Sequence, residues 1–340
     1  MKAFYDPAQA AHDPKFFLIR GEPRANVEQP ERAQRLLQGL AGLGIRPASP
    51  GDFGRAPLAA IHTPEYLTFL ETGWQRWREL EGASAEIIPN THPVRYPGTY
   101  PTGILGQAGW HQADTACPIG EHTWRSACAS ANTAIAAAEA ILDGEPHAYA
   151  LCRPPGHHAY ADLAGGFCYL NNVAIAAQRL RSRHERIAIL DVDVHHGNGT
   201  QGIFWHRRDV LTISTHCDPQ TLYPFSYGHV GERGAGEGEG FNVNIPLPRG
   251  SGDDALLQAL PRAAALIEAF APGVLVVALG LDTSEEDPLQ GMKVTTPGFE
   301  RLGRFIGRLG LPTLYVQEGG YLSPSLGANL ASFLTGVMDR

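Results

Sequence analysis

Five short runs of apolar residues along the chain predict buried β-strands. They read HAYALC (147–152), RIAILDV (186–192), VLTIST (210–215), VLVVALG (274–280) and PTLYVQ (312–317). Segments of helical length separate most of them, and one shows apolar residues at helical spacing, namely Leu256, Leu257, Leu260, Ala264 and Ile267. Alternating strands and helices are typical of βαβ units. The pattern therefore predicts an α/β fold of three layers, with a mostly parallel central sheet between helices.

Polar residues follow four of these runs directly. CRPPGHH follows the first strand, DVDVHHGNG ends the second, GLDTSEEDP follows the strand from Val274, and EGGY follows the last. Functional sites of α/β folds form at the carboxyl ends of parallel strands. We therefore expect these four segments to converge on one site.

Carboxylates inside an apolar strand indicate a metal site. An ionised carboxylate taken out of water is costly unless it is paired, hydrogen-bonded or bound to metal. Alternate side chains of a strand share a face, so Asp191, Asp193 and His195 project together. Two carboxylates and one imidazole suit a catalytic zinc, and Asp282, at another strand end, is the natural third ligand beside Asp193 and His195.

Adjacent histidines in RPPGHH, His157 and His158, are candidates for proton transfer. Such pairs are often solvated loop residues, but a metal-activated water needs a proton acceptor and a donor to the leaving group. Asp191 could accept an N–H of one histidine, and Asn198 could serve the other. Tyr321 in EGGY is either an exposed loop aromatic or a donor to a developing oxyanion.

Composition narrows the classes of function. The chain has 340 residues, of which 43% are hydrophobic, and no apolar run approaches the ~20 residues of a membrane span. The start, MKAFYDPAQAAHD, lacks the apolar stretch of a secretory signal, so we expect a cytoplasmic protein without a membrane partner. Five cysteines without a CxxC pair argue against a cysteine-rich zinc site, and a net charge of −8 argues against nucleic acid as partner.

The segment from Gly82 to His122 is rich in proline, glycine, histidine and aromatic residues. We interpret it as an insertion within a single domain spanning residues 1–340. Exposed Tyr96, Tyr100 and Trp110 on such a stiffened loop predict burial against a second copy of the chain, hence a homodimer. A loop across a pocket mouth also favours slender substrates over folded protein surfaces.

The motifs RPPGHH, GGFCYLNN, DVDVHHGNGT, LGLDT and EGGY, in this order, resemble the zinc-dependent histone deacetylase superfamily of the arginase/deacetylase fold. The similarity is greatest to its bacterial acetylpolyamine amidohydrolases, and it includes EQPERAQRL and the insertion. It implies one Zn²⁺, or alternatively Fe²⁺, bound by Asp193, His195 and Asp282. It also implies that His157 and His158 are tandem catalytic histidines.

The same resemblance implies that Tyr321 polarises the substrate carbonyl and that further residues bind potassium and substrate. A structural K⁺ would be held, largely through backbone carbonyls, by Asp191, Asp193, His195, Ser214 and Thr215. The substrate tunnel would be lined by Gly166, Phe167 and Tyr223. Asn198 stands where many members have Asp, although the polyamine branch tends to show Asn.

The resemblance also bears on substrate choice and assembly. The polyamine branch carries an acid in its insertion, which points to Asp114 as the residue that attracts the substrate's distant ammonium. A solvated or loop-capping Asp114 is the alternative, with Glu22 as another candidate acid. The branch uses a matching insertion for dimerisation.

The sequence thus predicts a metal-dependent amidohydrolase that deacetylates small acetylated amines of the acetylputrescine or acetylcadaverine type. A protein or acetyl-lysine deacetylase of the same superfamily is the alternative substrate class. One rival is an arginase-type ureohydrolase with two manganese ions, which needs an aspartate where this chain has Gly197. The other is a non-catalytic acyl-ligand sensor, which would be expected to lack one of the site residues.

Overall fold

The computed structural model describes residues 1–95 and 98–339. In chain order, these residues form the strands and α-helices β1 (Lys2–Phe4), β2 (Phe16–Ile19), β3 (Glu22–Ala25), α1 (Glu31–Gly42), α2 (Ala56–Ala59), α3 (Pro64–Arg78), α4 (Ile104–His111), α5 (Thr123–Leu142), β4 (His147–Ala150), α6 (Asn172–Leu180), β5 (Ile187–Asp191), α7 (Asn198–Phe204), β6 (Val210–Cys217), β7 (Asn242–Leu247), α8 (Asp253–Phe270), β8 (Val274–Leu279), α9 (Thr296–Gly307), β9 (Thr313–Gln317) and α10 (Leu326–Met338).

A seven-stranded sheet forms the centre of the fold, in the order β1-β4-β9-β8-β5-β6-β7, and every pairing in it is parallel. All five predicted strands belong to this sheet. The four whose ends carry the polar motifs, β4, β9, β8 and β5, are consecutive neighbours. Their carboxyl ends therefore lie side by side, as expected.

Two apolar layers cover the sheet. One face packs against side chains of α1, α8, α9 and α10, and the other packs against α5 and α6. In α8 the buried stripe includes Leu256, Leu260 and Ile267, as predicted. It continues through Ala263, whereas Ala264 is only half-buried. Burying a Leu or Ile side chain contributes about 1.5–3 kcal/mol, so these layers hold the sheet and its loops in place.

The insertion is more ordered than a plain loop, because it contains α4. Tyr100 and Trp110 are half-buried within the chain, with ring centroids 5.8 Å apart, and the Arg95 guanidinium lies 5.2 Å from the Trp110 ring. They are therefore less exposed than predicted, and Tyr96 lies outside the described residues. Among the helices of the described ranges, none is both long and apolar enough to cross a membrane.

Candidate active site

The ends of β5 and β8 bring Asp193, His195 and Asp282 together. One ligand atom from each lies within 4.8 Å of the others, and all three residues are buried. Nδ1 of His195 is 3.2 Å from Oδ1 of Asp193 and 3.2 Å from Oδ2 of Asp282. The structure thus assembles the two carboxylates and one imidazole that the sequence singled out.

The electrostatics of this cluster favour a bound cation. Burial, reinforced by the charge of Asp193, raises the pKa of Asp282 to about 6. Burial alone would lower the pKa of His195, but hydrogen bonds with the two carboxylates outweigh it and raise this pKa to about 9. A divalent cation would neutralise both carboxylates and accept the imidazole lone pair. The donor set therefore fits a catalytic Zn²⁺ or Fe²⁺.

Backbone amides hold the two carboxylates in place. The Gly319 N–H donates to Oδ2 of Asp193 at 2.8 Å, and the Val194 N–H donates to Oδ1 of Asp282 at 3.0 Å. A Cβ at Gly319 would lie 2.1 Å from Oδ2 of Asp282, so only glycine allows this close approach. Gly319, the first glycine of EGGY, is thus part of the wall around the cluster.

Each tandem histidine has its own partner. Nδ1 of His157 is 2.9 Å from Oδ2 of Asp191, and Nδ1 of His158 is 2.7 Å from Oδ1 of Asn198. Burial opposes charge on His157, but Asp193 and Asp191 outweigh it and hold its pKa well above the usual value. Burial and the charges of His157 and His195 hold the pKa of His158 well below its usual value. His158 is therefore the imidazole of the pair that burial keeps neutral.

Gly197, which precedes α7, leaves no room for a side chain. A Cβ there would lie 2.3 Å from Oδ2 of Asp191 and 3.2 Å from Nδ1 of His157. The bridging aspartate of a two-manganese ureohydrolase would therefore collide with the Asp191–His157 pair. This geometry disfavours the arginase-type rival.

Tyr321 is buried beside the cluster. Its ring centroid is 5.6 Å from that of Phe167, and the Arg32 guanidinium lies 4.7 Å from its ring. Burial raises the pKa of the Tyr321 hydroxyl well above its usual value; the charge of Arg32 opposes this rise, and the carboxylates of Asp282 and Asp193 add to it. The hydroxyl therefore stays protonated and can donate a hydrogen bond.

A buried network that sequence reasoning missed supports the turn before Tyr321. The Arg32 guanidinium donates to the carbonyls of Gly320 (2.5 Å) and Glu318 (2.7 Å). Glu28 pairs with Arg32 at 2.6 Å and with Arg153 at 2.9 Å. The Glu28–Arg32 spacing of an i,i+4 pair was the available signal in EQPERAQRL, although such pairs are also common on helix surfaces.

Glu318 holds the backbone of the tandem-histidine loop, a role that the sequence did not indicate. Its Oε2 accepts hydrogen bonds from the N–H groups of Gly156 (2.6 Å) and His157 (3.0 Å). Burial raises the pKa of Glu318 to about 7, although the charge of His157 opposes this. The EGGY segment therefore connects the histidine loop with the Tyr321 turn.

The residues predicted to line a substrate tunnel lie against His158 and Tyr321. The Tyr223 ring is edge-on to His158, with centroids 4.9 Å apart. Gly166 has φ +52°, and a Cβ there would lie 2.4 Å from the His158 ring, so the wall requires glycine. The Phe167 ring packs against that of Phe17 on β2, with centroids 5.5 Å apart, which brings the β2–β3 hairpin next to the predicted tunnel residues.

Asp114 lies in the same wall. Its Oδ2 accepts hydrogen bonds from the Tyr223 hydroxyl (2.7 Å) and the Gly166 N–H (3.1 Å). Its Oδ1 accepts one from the Ala116 N–H at 2.8 Å. This carboxylate therefore attaches the segment 82–122 to Tyr223 and Gly166.

The residues predicted to bind potassium lie around the ends of β5 and β6. Asp191 is paired with Ser214 in the sheet register, and the Thr215 hydroxyl donates to the Asp191 carbonyl at 3.3 Å. Asp193 and His195 follow on the same segment as Asp191. The sheet register and this hydrogen bond thus bring Asp191, Ser214 and Thr215 together, and the potassium site stays a prediction.

Comparisons with known proteins relate this chain to described enzymes. Residues 26–337 match the profile of the histone deacetylase domain. The chain is 51% identical over 337 residues to an acetylpolyamine amidohydrolase of Burkholderia pseudomallei (strain 1710b), covering 99% of this chain and 98% of the relative. It is 43% identical to acetylpolyamine amidohydrolase 1 of Pseudomonas aeruginosa PAO1, over 99% of this chain and 98% of the relative.

A solved structure agrees in detail. The crystal structure of an acetylpolyamine aminohydrolase from Burkholderia pseudomallei superposes with a TM-score of 0.96 at 50% identity, covering 100% of this chain and 99% of the other. The HDA15 HD domain superposes with a TM-score of 0.81 at 27% identity, covering 100% of this chain and 91% of that one. The arginase/deacetylase fold expected from the sequence is thus confirmed.

Proposed function

The chain belongs to the histone deacetylase family and is a hydrolytic deacetylase, and on this premise we propose that it is a zinc-dependent amidohydrolase of small acetylated amines. The family match confirms the predicted resemblance. The observation that carries the proposal is the buried cluster of Asp193, His195 and Asp282 beside the tandem histidines. Relatives that are named acetylpolyamine amidohydrolase support acetylputrescine and acetylcadaverine as the type of substrate.

The residues of the cluster suit the chemistry of amide hydrolysis. A Zn²⁺ ion bound by Asp193, His195 and Asp282 would act as a Lewis acid toward the amide carbonyl and toward the water that attacks it. Neutral His158 accepts a proton from that water and then protonates the departing amine. Tyr321 donates a hydrogen bond to the developing oxyanion, an effect of about 3–4 kcal/mol for one donor in acyl-transfer sites.

The proposal also covers the surroundings of the site. K⁺ bound near the ends of β5 and β6 would fix the metal-bearing segment, and a homodimer formed through residues 82–122 would narrow the tunnel mouth. A narrowed mouth admits slender acyl-amines and disfavours the protein-deacetylase alternative. We place the enzyme in the cytoplasm without nucleic-acid or membrane partners, in keeping with its net charge of −8.

The decisive test is turnover of acetylputrescine, acetylcadaverine, acetylspermidine and acetyl-lysine peptides, with metal analysis of the same preparation. We expect the small amines to be hydrolysed faster, one Zn or Fe(II) per chain, and loss of activity with a chelator. Faster hydrolysis of peptides would instead assign the protein-deacetylase class. Two manganese ions per chain would overturn the metal assignment.

The oxyanion role is tested by Tyr321→Phe, which removes the hydroxyl and keeps the ring packed against Phe167. We expect kcat to fall by about 10²–10³-fold, since one oxyanion donor is removed, with the metal content unchanged. Tyr315→Phe is the matched control. Tyr315 lies on β9, the strand that leads into the same turn, and its ring packs against that of Phe333 on α10. Turnover by Tyr321→Phe near the wild-type level would exclude this role.

A further inference from the structure

Asp287, a buried carboxylate not described so far, contacts the turn that carries Tyr321. It lies in the loop after the metal-site residue Asp282, and only 2% of its surface is exposed. Its Oδ2 accepts a hydrogen bond from the backbone N–H of Tyr321 at 2.9 Å. Its Oδ1 accepts one from the N–H of Leu289, also at 2.9 Å. One carboxylate thus connects the metal-site loop with the Tyr321 turn.

Both connected segments contribute to one apolar cluster. The Leu289 side chain packs against the cluster formed by Phe17, Phe167 and Tyr321. A carboxylate has two acceptor oxygens and no donor, whereas an amide side chain has one acceptor oxygen and a donor NH₂ group. Only an acid of this size can therefore accept from both N–H groups at once.

A cation holds the same turn from its other side. Arg32 donates to the carbonyls of Glu318 and Gly320, the residues before and within the turn, while Asp287 accepts from the amide that follows them. Burying a carboxylate that has two backbone amides as partners is expensive, since neither donor carries a full charge. The turn is therefore fixed by a buried carboxyl group at its amide and a buried cation at its carbonyls.

We propose that Asp287 is a positioning residue for Tyr321, holding its backbone so that the hydroxyl meets the oxyanion of the substrate. This inference rests on the proposed function, in which Tyr321 is the oxyanion donor. A displacement of about 1 Å in a catalytic group can reduce turnover 10²-fold. Asp287 therefore acts through Tyr321 and contacts no substrate.

The test is a double-mutant cycle with Asp287→Ala, Tyr321→Phe and the double variant in the metal-loaded enzyme. We expect Asp287→Ala to lower kcat by about tenfold or more with little change in KM. In the Tyr321→Phe background, the same change should lower kcat by less than about twofold, because the group that it positions is already lost. The metal content should stay at the wild-type value in all variants.

Two further variants separate positioning from a general loss of structure. Asp287→Asn keeps one acceptor oxygen, so its kcat should lie between those of wild type and Asp287→Ala. If the alanine variant does not fold, the asparagine variant takes its place in the cycle. Asp253→Ala is the matched control, since Asp253 accepts hydrogen bonds from the N–H (2.8 Å) and hydroxyl (2.7 Å) of Thr295. It should lower the melting temperature and leave kcat near wild type.

The outcomes distinguish this inference from the proposed function. Equal losses from Asp287→Ala in both backgrounds, or loss of metal in place of kcat, would overturn the positioning role while the deacetylase stands. Near-wild-type turnover by Tyr321→Phe would remove the oxyanion role and the positioning role together. Absence of hydrolysis by the metal-loaded wild-type enzyme would overturn the proposed function itself.

Discussion

Asp114 accepts hydrogen bonds from the Tyr223 hydroxyl and from the N–H groups of Gly166 and Ala116. All three donors are neutral, so they leave the negative charge of the carboxylate uncompensated. The structure therefore gives Asp114 a part in building the wall, the alternative considered from the sequence. We propose that this charge also attracts the second ammonium of a polyamine.

Asp114→Asn removes this charge and keeps the shape of the side chain. We expect KM for acetylputrescine to rise up to about fivefold, since a partly exposed ion pair contributes ~0–1 kcal/mol. KM for a neutral acetyl-amide of equal length should change much less. Steady-state kinetics with both substrates measure the difference.

Glu22→Gln is the matched control for this experiment, because Glu22 is the other acid considered and lies exposed on the β2–β3 hairpin. It should leave both KM values near wild type. Equal effects of Asp114→Asn on the cationic and the neutral substrate would assign Asp114 to the wall alone.

Sequence reasoning singled out site residues by their chemistry and missed those that act through the backbone. Asp193, His195 and Asp282 stood out because carboxylates and histidines interrupt apolar strand ends. Asp287 and Glu318 accept hydrogen bonds from backbone amides, and any acid in a loop could do so. Their role depends on which amides the fold brings near them, which no local pattern encodes.

At the scale of secondary-structure elements, helices α1 and α10 approach each other closely at two glycines, Gly39 and Gly327. A Cβ at Gly39 of α1 would lie 2.3 Å from the carbonyl oxygen of Gly327, and one at Gly327 would lie 2.6 Å from the carbonyl oxygen of Arg35. The two helices therefore pack backbone against backbone. This contact also places α1, which carries Arg32, against the sheet.

Gly39→Ala should separate these helices. We expect the free energy of unfolding to fall by about 1–3 kcal/mol, the usual cost of overpacking a close contact. Thermal or urea unfolding followed by circular dichroism measures this change. Because α1 carries Arg32, we also expect turnover to fall.

Gly42→Ala is a control on the same helix, since a Cβ there meets no atom within 4 Å. It should leave the unfolding free energy unchanged or raise it by about 0.5–1 kcal/mol, because alanine favours the helix over glycine. Equal stability of the Gly39→Ala variant and wild type would contradict the packing described for α1 and α10.

Five of the seven strands of the central sheet could be predicted because both of their faces are buried, which gives continuous apolar runs. The two edge strands, β1 and β7, escaped this criterion. β1 has three residues, and β7 reads NVNIPL, in which Asn242 and Asn244 interrupt the apolar run. The order of the strands was not predictable either, since it depends on contacts distant in sequence.

At the scale of the whole molecule, the insertion presents apolar side chains other than the aromatics that suggested a dimer. Val94 is 88% exposed and Leu105 of α4 is 55% exposed, while Tyr100 and Trp110 pack within the chain. Exposed apolar residues on an ordered segment are suited to contact another protein surface. We therefore keep the homodimer as a proposal and move its expected contact to Val94 and Leu105.

Leu105→Asp should convert the dimer to single chains, because it places a charge in the proposed contact. Light scattering at micromolar concentration measures the mass, and Met338→Asp, at an exposed position on α10, is the control that should remain dimeric. A fully active wild-type protein with the mass of one chain would remove this proposal.

The strand order has a consequence for how the protein is made. β9, residues Thr313–Gln317, lies between β4 and β8 and is the last of the nine strands within the described ranges. Until the ribosome has synthesised it, β1 and β4 have no edge to join to β8, β5, β6 and β7. The histidine loop after β4 and the ligands after β5 and β8 therefore stay in separate halves of an open sheet. The nascent chain exposes unpaired strand edges for most of its synthesis, a period in which aggregation competes with folding, and the tandem histidines join the metal ligands only at the end.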